Sequence, residues 1–536
     1  MPPNRTVRLK SATGRWILLA TILGSSMASL DATVVSVALP RIGESLHTDV
    51  AGLQWTVNGY TLTLASFILL GGSLGDRLGR RRVFVWGIVG FALTSLLCAV
   101  SVNIEMLVVA RLLQGVAGAL LTPGSLALIS ASLDERDQGS AIGLWSGLGG
   151  VAGALGPLLG GGLIDLVGWR AIFLLNVPLA LVVAVIAVRW VPESRDPAAP
   201  ARIDVPGAVI VACALGALTL GLIDGYPVLI GVGVLGLAGF VLVELRSPNP
   251  LVPPSLFGSR VFSAANLVTL FVYAALGGVF FLLVLQLQLV AGYSPMASGA
   301  ASLPVTLLML VLSAPAGRWA QRHGPRLPMT AGPLLAAVGV FALQLVGAEA
   351  NYLTDVLPGV LIFGLGLAVM VAPLTGAVLA AVPVADAGIA SGVNNAVART
   401  AQLLAVAALP GLAGLSGDFG DPVEFAAGFD TAMRWCAVLL LVGAVIAGVL
   451  LRVPRQTPAP ERVDCVPHCA GSDGPALAPT TSGRHYVRGP SRVRGAIRNG
   501  EAAVSPLGRE TFGGRNPRRQ PPSTQAGSRL PRRRGR

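Results

Sequence analysis

Charge is what this chain has least of. Only 12% of its 536 residues are Asp, Glu, Lys or Arg, about half the share that an ordinary soluble domain carries. That shortage excludes a soluble globular protein and leaves no room for a soluble catalytic domain. Cysteine is equally sparse. Cys98, Cys213 and Cys436 fall in apolar runs, Cys465 and Cys469 near the C-terminus, and no disulfide framework follows from that scatter. The Cys465/His468/Cys469 group supplies at most three ligands in a segment without a core, so metal binding stands little above chance composition. No metal or other cofactor is expected. All four histidines (His47, His323, His468, His485) lie outside the apolar runs, which excludes a histidine proton relay within them. No glycine cluster is followed by Gly-Lys-Ser/Thr, so nucleotide hydrolysis is excluded too. An enzyme buried in a membrane would need a clustered nucleophile or metal set, and none is apparent.

What is abundant is apolar length. Runs long enough to cross a ~30 Å hydrocarbon core recur near 16–39, 54–75, 83–102, 105–131, 139–164, 170–191, 205–223, 227–245, 262–289, 297–317, 326–347, 354–379, 388–411 and 430–452. These predict an all-α polytopic membrane protein with fourteen spans. The first run follows Arg5, Arg8, Lys10 and Arg15 as a signal peptide would, but it is too long for one and lacks a small-residue cleavage site. It reads as a retained first span.

Charge, where present, orients the chain. With the N-terminus in the cytoplasm, the inner loops hold Arg77, Arg80, Arg81, Arg82, Arg136, Arg195, Arg202, Arg246, Arg260, Arg318, Arg322 and Arg326. The outer loops hold Arg41 and several acids: Glu349, Asp355, Asp418, Asp421 and Glu424. That is the positive-inside pattern, and an even span count returns the C-terminus to the cytoplasm. Residues 453–536 carry sixteen arginines against five acids, a net +11 of the chain's +13. This Pro/Gly/Ser/Arg-rich tail is expected to be a disordered appendage attracted to anionic lipid, with too few aromatics for nucleic-acid binding. A sensor using the tail as its output is the competing reading from another class.

A repeat divides the spans. Gly72-Ser-Leu-Gly-Asp76-Arg77-Leu-Gly79-Arg80-Arg81 matches Gly317-Arg-Trp-Ala-Gln321-Arg322-His-Gly324-Pro-Arg326 at Gly, Arg, Gly and Arg. The two copies stand eight spans apart. Two six-helix bundles with an inserted central pair are therefore predicted. The expected order is a cytoplasmic N-terminus (1–15), first bundle (16–191), linker (192–204), inserted pair (205–245), cytoplasmic loop (246–261), second bundle (262–452) and tail (453–536). Parallel halves of this kind hold substrate between them near the midplane.

Four segments carry a family resemblance over roughly residues 10–452. Leu30-Asp31-Ala-Thr33-Val-Val-Ser-Val-Ala38-Leu39-Pro40 resembles the first-span signature of the fourteen-span drug:proton antiporters, and 72–82 resembles the loop motif of the major facilitator superfamily. Arg111-Leu-Leu-Gln114-Gly115 and the glycine-rich stretch 147–162 are similar to the family's proton-coupling and antiporter motifs. The stretches Trp169-Arg170-Ala-Ile-Phe173-Leu-Leu-Asn176-Val-Pro178 and Gly292-Tyr293-Ser294-Pro295 add to the likeness. The resemblance implies a major facilitator fold in the cytoplasmic membrane and export of small lipophilic compounds in exchange for protons. A dedicated exporter of one antibiotic, siderophore or amino acid is the alternative, and the resemblance leaves open an accessory partner in the periplasm or outer membrane.

Asp31 matters most physically. A carboxylate inside an apolar helix costs several kcal/mol unless protonated, paired or hydrated, so it is a candidate for proton or substrate coupling; a structural, pore-lining acid is the bland reading. Arg111 keeps its charge under all ordinary conditions and suits a carboxylate's tuner better than a proton carrier. Gln114 shares its helix face. In the loop, Gly72, Asp76, Arg77, Gly79, Arg80 and Arg81 are expected to favour one conformation over the other by pairing charges at helix ends, beside their plain role in topology. Gly149, Gly153, Gly156 and Gly160 share a face that lets two backbones approach, with Pro157 as a kink; generic tight packing is the alternative. Gln54, Asn58, Tyr60, Gln114, Gln286, Asn394 and Asn395 are candidates to line the cavity or to make interhelical hydrogen bonds. The run Arg399-Thr-Ala-Gln402-Leu-Leu departs from the glycine-rich pattern of the family. With Asp31 the clearest deep acid, lipophilic monocations or neutral amphiphiles are the expected substrates.

Overall fold

In lipid every backbone N–H and C=O must find its partner within the protein, so apolar runs of this length become helices. The computed structural model describes residues 7–197, 204–248, 250–383, 386–415 and 422–451. The arginine-rich tail with its Cys465/His468/Cys469 group, Arg202, Asp418 and Asp421 lie outside the described residues. The helices are α1 (Ala12–Leu46), α2 (Val50–Leu78), α3 (Arg80–Ala99), α4 (Ile104–Ser132), α5 (Glu135–Leu166), α6 (Arg170–Leu174), α7 (Asn176–Trp190) and α8 (Val205–Ile223). They continue as α9 (Pro227–Arg246), α10 (Arg260–Leu285), α11 (Pro295–Ala301), α12 (Leu303–His323), α13 (Arg326–Ala342), α14 (Leu357–Ala380), α15 (Ala387–Leu412) and α16 (Pro422–Leu450). Among the described residues β pairing is limited to one bridge, Val7 with Leu133.

Short polar side chains start several helices. Ser11, Asp49, Asn103 and Asp204 each accept a hydrogen bond from a first-turn amide that would otherwise be orphaned. The sequence repeat has a conformational counterpart. Gly79 ends α2 at φ 122° and Gly324 ends α12 at φ 94°, a region that a side chain rarely tolerates. Both copies of the motif therefore turn the chain into the next helix in the same way.

Thirteen helical stretches among the described residues are long and apolar enough to cross a membrane, with α6–α7 and α11–α12 each acting as one crossing. The helix α15 is comparable in length, 26 residues, but Asn394, Asn395, Arg399 and Gln402 lower its hydropathy. Buried in part against α2, α8 and α10, it supplies the fourteenth crossing.

Apolar side chains divide between interior and lipid. In the first half Phe84, Ile88, Phe91, Leu121, Leu128 and Val183 interlock in one cluster. The second half's core, including Phe262, Met329, Phe363, Phe429 and Leu440, joins Val34, Val37 and Ile42 of α1 in another. The outward faces stay apolar, as Leu93, Leu181, Leu235 and Phe341, each at least 60% exposed, illustrate. In water such a surface would be a liability; against lipid tails it is the expected solvent-facing side. Helices α8 and α9 pack on each other through Gly221, Gly233 and Gly236. Leu215, Val211 and Leu237 then rest on Leu62 of α2 and Leu403 of α15.

Candidate functional site

The first half encloses a polar centre in an otherwise apolar bundle. Asp31 on α1 and Arg111 on α4 have side chains only 1% exposed and meet at 2.5 Å, Nη1 to Oδ2. The other carboxylate oxygen accepts from Gln114 Nε2 and Asn176 Nδ2, both at 3.0 Å. Arg111 also donates to Gln114 Oε1 and, through Nε at 3.0 Å, to the Thr56 carbonyl of α2. Ser95 on α3 accepts from both amides, Gln114 at 2.8 Å and Asn176 at 3.3 Å. The guanidinium lies 4.5 Å from the Tyr60 ring centroid and 5.9 Å from that of Phe173. Five helices thus converge on one acid and one base, whose charges cancel.

Such a pair is costly to break. Removing one partner from a buried pair strands the other charge where little can solvate it, whereas the intact pair gains modestly over an apolar substitute. Protonating Asp31 would cancel one charge without removing a side chain. The geometry can therefore exchange a salt bridge for a neutral acid beside a cation, with Gln114, Asn176 and Ser95 holding the carboxyl group in place in either state.

The charged loop between α2 and α3 is clasped by the segment after α7. Arg80 Nε pairs with Asp76 Oδ1 at 2.7 Å, and Glu193 reaches Arg81 and Arg82 at 3.8 and 3.7 Å. Glu193 Oε1 also accepts from the Arg81 amide at 3.1 Å, and Arg80 N–H donates to the Ser194 carbonyl at 2.9 Å. Gly79 is required twice over, by its positive φ and because a Cβ would strike the Glu193 carboxylate. Gly72 packs loosely on Pro123. Arg77 points outward, exposed.

At the end of the bundle opposite that arginine-rich loop, the two halves are latched. Pro410 in α15 has no N–H to offer the Val406 carbonyl one turn back, and its ring also weakens the bond to Ala407. Gln54 of α2 supplies what is missing, donating to Val406 O at 2.6 Å and Ala407 O at 3.0 Å. Pro40 in α1 leaves the Ser36 carbonyl without its helical N–H, and one residue along Gln288, just beyond α10, donates to Val37 O at 2.9 Å. Asp165 near the end of α5 accepts from Met296 N–H at 3.2 Å, in the first turn of α11, where the helix dipole favours a carboxylate.

The glycine-rich helix behaves differently along its length. A Cβ on Gly156 or Gly160 would collide with Thr33 or Val34 of α1, and one on Gly161 with the Pro295–Met296 backbone. Pro157 abuts Gly299 of α11. Nearer the arginine-rich end, Gly139, Gly143, Gly147, Gly149, Gly150 and Gly153 have nothing within 4 Å of where a Cβ would stand. Gly149 and Gly153 thus depart from the close approach expected of them, while Gly156 and Gly160 make it. Near its C-terminal end α5 packs on α1 and α11; near its N-terminal end its glycines face open space.

Six of the seven cavity candidates are engaged in packing. Gln54, Asn58, Tyr60, Gln114 and Gln286 are at most 4% exposed. Gln286 donates to Val346 O at 2.6 Å, and Asn394 ties α15 to Asn266 and Thr269 of α10 at 3.1 and 2.8 Å. Asn395 alone among them is exposed. Sequence reasoning missed the roles of Asn176, Ser95 and Glu193. An asparagine at the break between α6 and α7 was a visible signal; a serine in an apolar helix and a glutamate 112 positions from Arg81 were not.

A bundle of crossing helices, with its halves latched at one end and an ion pair neutralised inside it, is the architecture of a membrane transporter. The chain belongs to the Major Facilitator Superfamily, whose family model matches residues 21–406. It is a transporter rather than an enzyme. It is 37% identical to the tetracenomycin C resistance and export protein of Streptomyces glaucescens over 73% of this chain and 74% of that one. It is 34% identical to the cephamycin export protein of Amycolatopsis lactamdurans over 85% and 96% of the two chains. The multidrug resistance protein Stp of Mycobacterium tuberculosis (strain ATCC 25618 / H37Rv) is 36% identical over 71% and 72%. Among solved structures, a bacterial homolog of the human lysosomal transporter Spinster, inward-facing and occupied, superimposes with a TM-score of 0.62 at 15% identity, covering 84% of this chain and all of that one. A D-xylose–proton symporter does so at 0.60 and 16% identity, over 82% and 97%. At that identity the likeness is one of fold.

Proposed function

We propose that this protein is a proton-coupled antiporter that exports small amphiphilic compounds, drugs among them, across the cytoplasmic membrane, with both termini in the cytoplasm. The buried Asp31–Arg111 pair carries the reading. In the described conformation the pair is formed, the latches are closed and α5 is free at the arginine-rich end, which the positive-inside rule assigns to the cytoplasm. This corresponds to an inward-facing arrangement with the ion pair formed. Substrate entry then favours closure of the inner end and outward opening. Protonation of Asp31 from outside weakens its hold on Arg111 and favours return to the inward state.

The test is transport in proteoliposomes under an imposed proton gradient, reported by an internal pH dye. Asp31→Asn, isosteric and unable to titrate, is expected to abolish proton-coupled movement of any compound that the wild type carries. Normal pH-dependent export by that variant would overturn the coupling role. Relatives named for single antibiotics favour a second reading, a dedicated exporter. A resistance panel separates the two: protection against many unrelated compounds supports the first, protection against one supports the second.

A further inference from the structure

One cation in the membrane interior is left over after the ion pair is formed. Arg399 stands twelve residues into α15, about 18 Å from its start along a helix ~39 Å long, and so near mid-membrane. No carboxylate lies within ion-pair distance of it among the described residues. Arg111 is matched by Asp31, whereas Arg170 and Arg434 are exposed and donate to the Ser101 carbonyl and to Gln344. Asp31 and Arg111 cancel, and Arg399, half-buried in α15, is left without a counter-ion among the described residues.

Its surroundings are those of a recognition surface. The helix is held in rotation by Asn394, bonded to Asn266 and Thr269, and by the buried face formed by Ala398, Ala401 and Ala405. The adjoining face presents Asn395, Arg399 and Gln402, spaced by four and three residues. Asn395 is exposed and the other two are half-buried. Among the described residues none of the three makes a side-chain hydrogen bond. Asn58, one turn along α2 from Gln54 and on the face that Gln54 turns toward α15, is fully buried with neither amide atom bonded. A membrane-embedded cation without a partner is expensive, and a planar guanidinium with free donors fits a carboxylate in a two-pronged contact.

We propose that the Asn395–Arg399–Gln402 face of α15 is an anion-binding subsite, and that the compounds this protein exports are amphiphiles bearing one acidic group, a carboxylate or an acidic phenol. The proposal rests on the export reading above and replaces the preference for lipophilic monocations drawn from Asp31 alone. The apolar part of such a molecule occupies the apolar interior; its anion meets Arg399.

Two fluorescent probes of nearly equal shape and opposite charge, naphthoate and naphthylmethylammonium, test it with the full-length protein in nanodiscs of zwitterionic lipid. Equilibrium dialysis reads binding, with empty nanodiscs subtracted. Naphthoate is expected to bind saturably and at least about tenfold more tightly than the ammonium probe. Arg399→Gln is expected to erase that preference, and Arg399→Lys to keep most of it. A preference for the ammonium probe, or naphthoate binding unchanged in Arg399→Gln, overturns the proposal. If Arg399→Gln does not fold, as judged by its melting curve, the wild-type preference and the Arg399→Lys value decide. Export of antibiotics lost in Asp31→Asn but blind to Arg399 would leave the exporter standing without this subsite. Arg399-dependent naphthoate binding without transport in proteoliposomes would do the reverse.

Discussion

The two halves of this molecule treat buried charge in opposite ways. In the first, Asp31 and Arg111 are matched to one another, wrapped by Gln114, Asn176 and Ser95, and cut off from solvent. In the second, Arg399 keeps its charge without a counter-ion, beside polar groups that lack partners of their own. A sealed, self-neutralising pair is suited to changing state, since its energy responds to a proton and to little else. An open, uncompensated charge is suited to holding a ligand. Proton and substrate can then be handled on different sides of one interface, coupled because both sides must move together.

The sharpest way to break that contrast is to remove each arginine and compare melting temperatures. Arg111→Ala leaves Asp31 charged and stranded, and is expected to cost on the order of 3–5 kcal/mol and all transport. Adding Asp31→Asn to it should recover much of the stability and none of the transport. Arg399→Ala removes a charge that nothing in the fold needs and should leave the melting temperature unchanged or raised. Equal destabilisation by the two substitutions would show that the halves are not specialised in this way.

A smaller effect is expected at the latch that joins them. Gln54→Leu deprives the Val406 and Ala407 carbonyls of their donor and should weaken the closed outer end by about 1 kcal/mol, shifting the population toward outward-open. Spin labels on the outer ends of α2 and α15 would report it as a longer distance. Pro410→Ala gives Val406 its own helical partner, so Gln54→Leu should cost less in that background. A cost that is the same in both backgrounds would sink the account of why a glutamine is found there.

In the arginine-rich loop, Glu193→Ala is expected to reduce transport severalfold while Arg77→Ala, whose side chain is exposed, leaves it near normal. Glu193 touches Arg81, Arg82 and the Gly79 turn, whereas a solvent-facing arginine contributes little energy by itself. Initial rates in proteoliposomes with matched protein content would separate the two, and equal losses would mean that the loop acts through its total charge.

Several of these features could be read before any coordinates existed, and for a physical reason. Lipid makes an ionisable residue so expensive that Asp31 called for a partner, and the family resemblance pointed to Arg111, with Gln114 on the same helix face. Span positions were legible because hydrocarbon thickness sets them; the prediction of 205–223 coincides with α8. Uncharged polar residues carried no such constraint. For Gln54, Gln286 and Asn394 cavity lining and interhelical hydrogen bonds stood equally open, and in the structure their amides serve carbonyls and side chains on neighbouring helices. Which carbonyl needs a donor depends on where a proline sits in another helix, and no window of sequence around Gln54 contains Pro410. Ser95 was overlooked for a similar reason, since serine is common in helices that bind nothing.

The inserted pair offers the mildest test, at its contact with the first half. Asp224, between α8 and α9, has its carboxyl raised above the ordinary value by burial and then by the like charge of Asp49, with a hydrogen bond from Trp55 acting the other way. A raised acid contributes stability that is complete below its unfolded value of about 3.9 and is lost as pH climbs through the higher folded value. Near neutral pH, then, the charged Asp224 works against the fold, though its exposure screens most of the effect. Asp224→Asn should raise the melting temperature slightly near neutrality and not at all at about pH 3. A gain of the same size at both would point to altered packing rather than to the charge of Asp224.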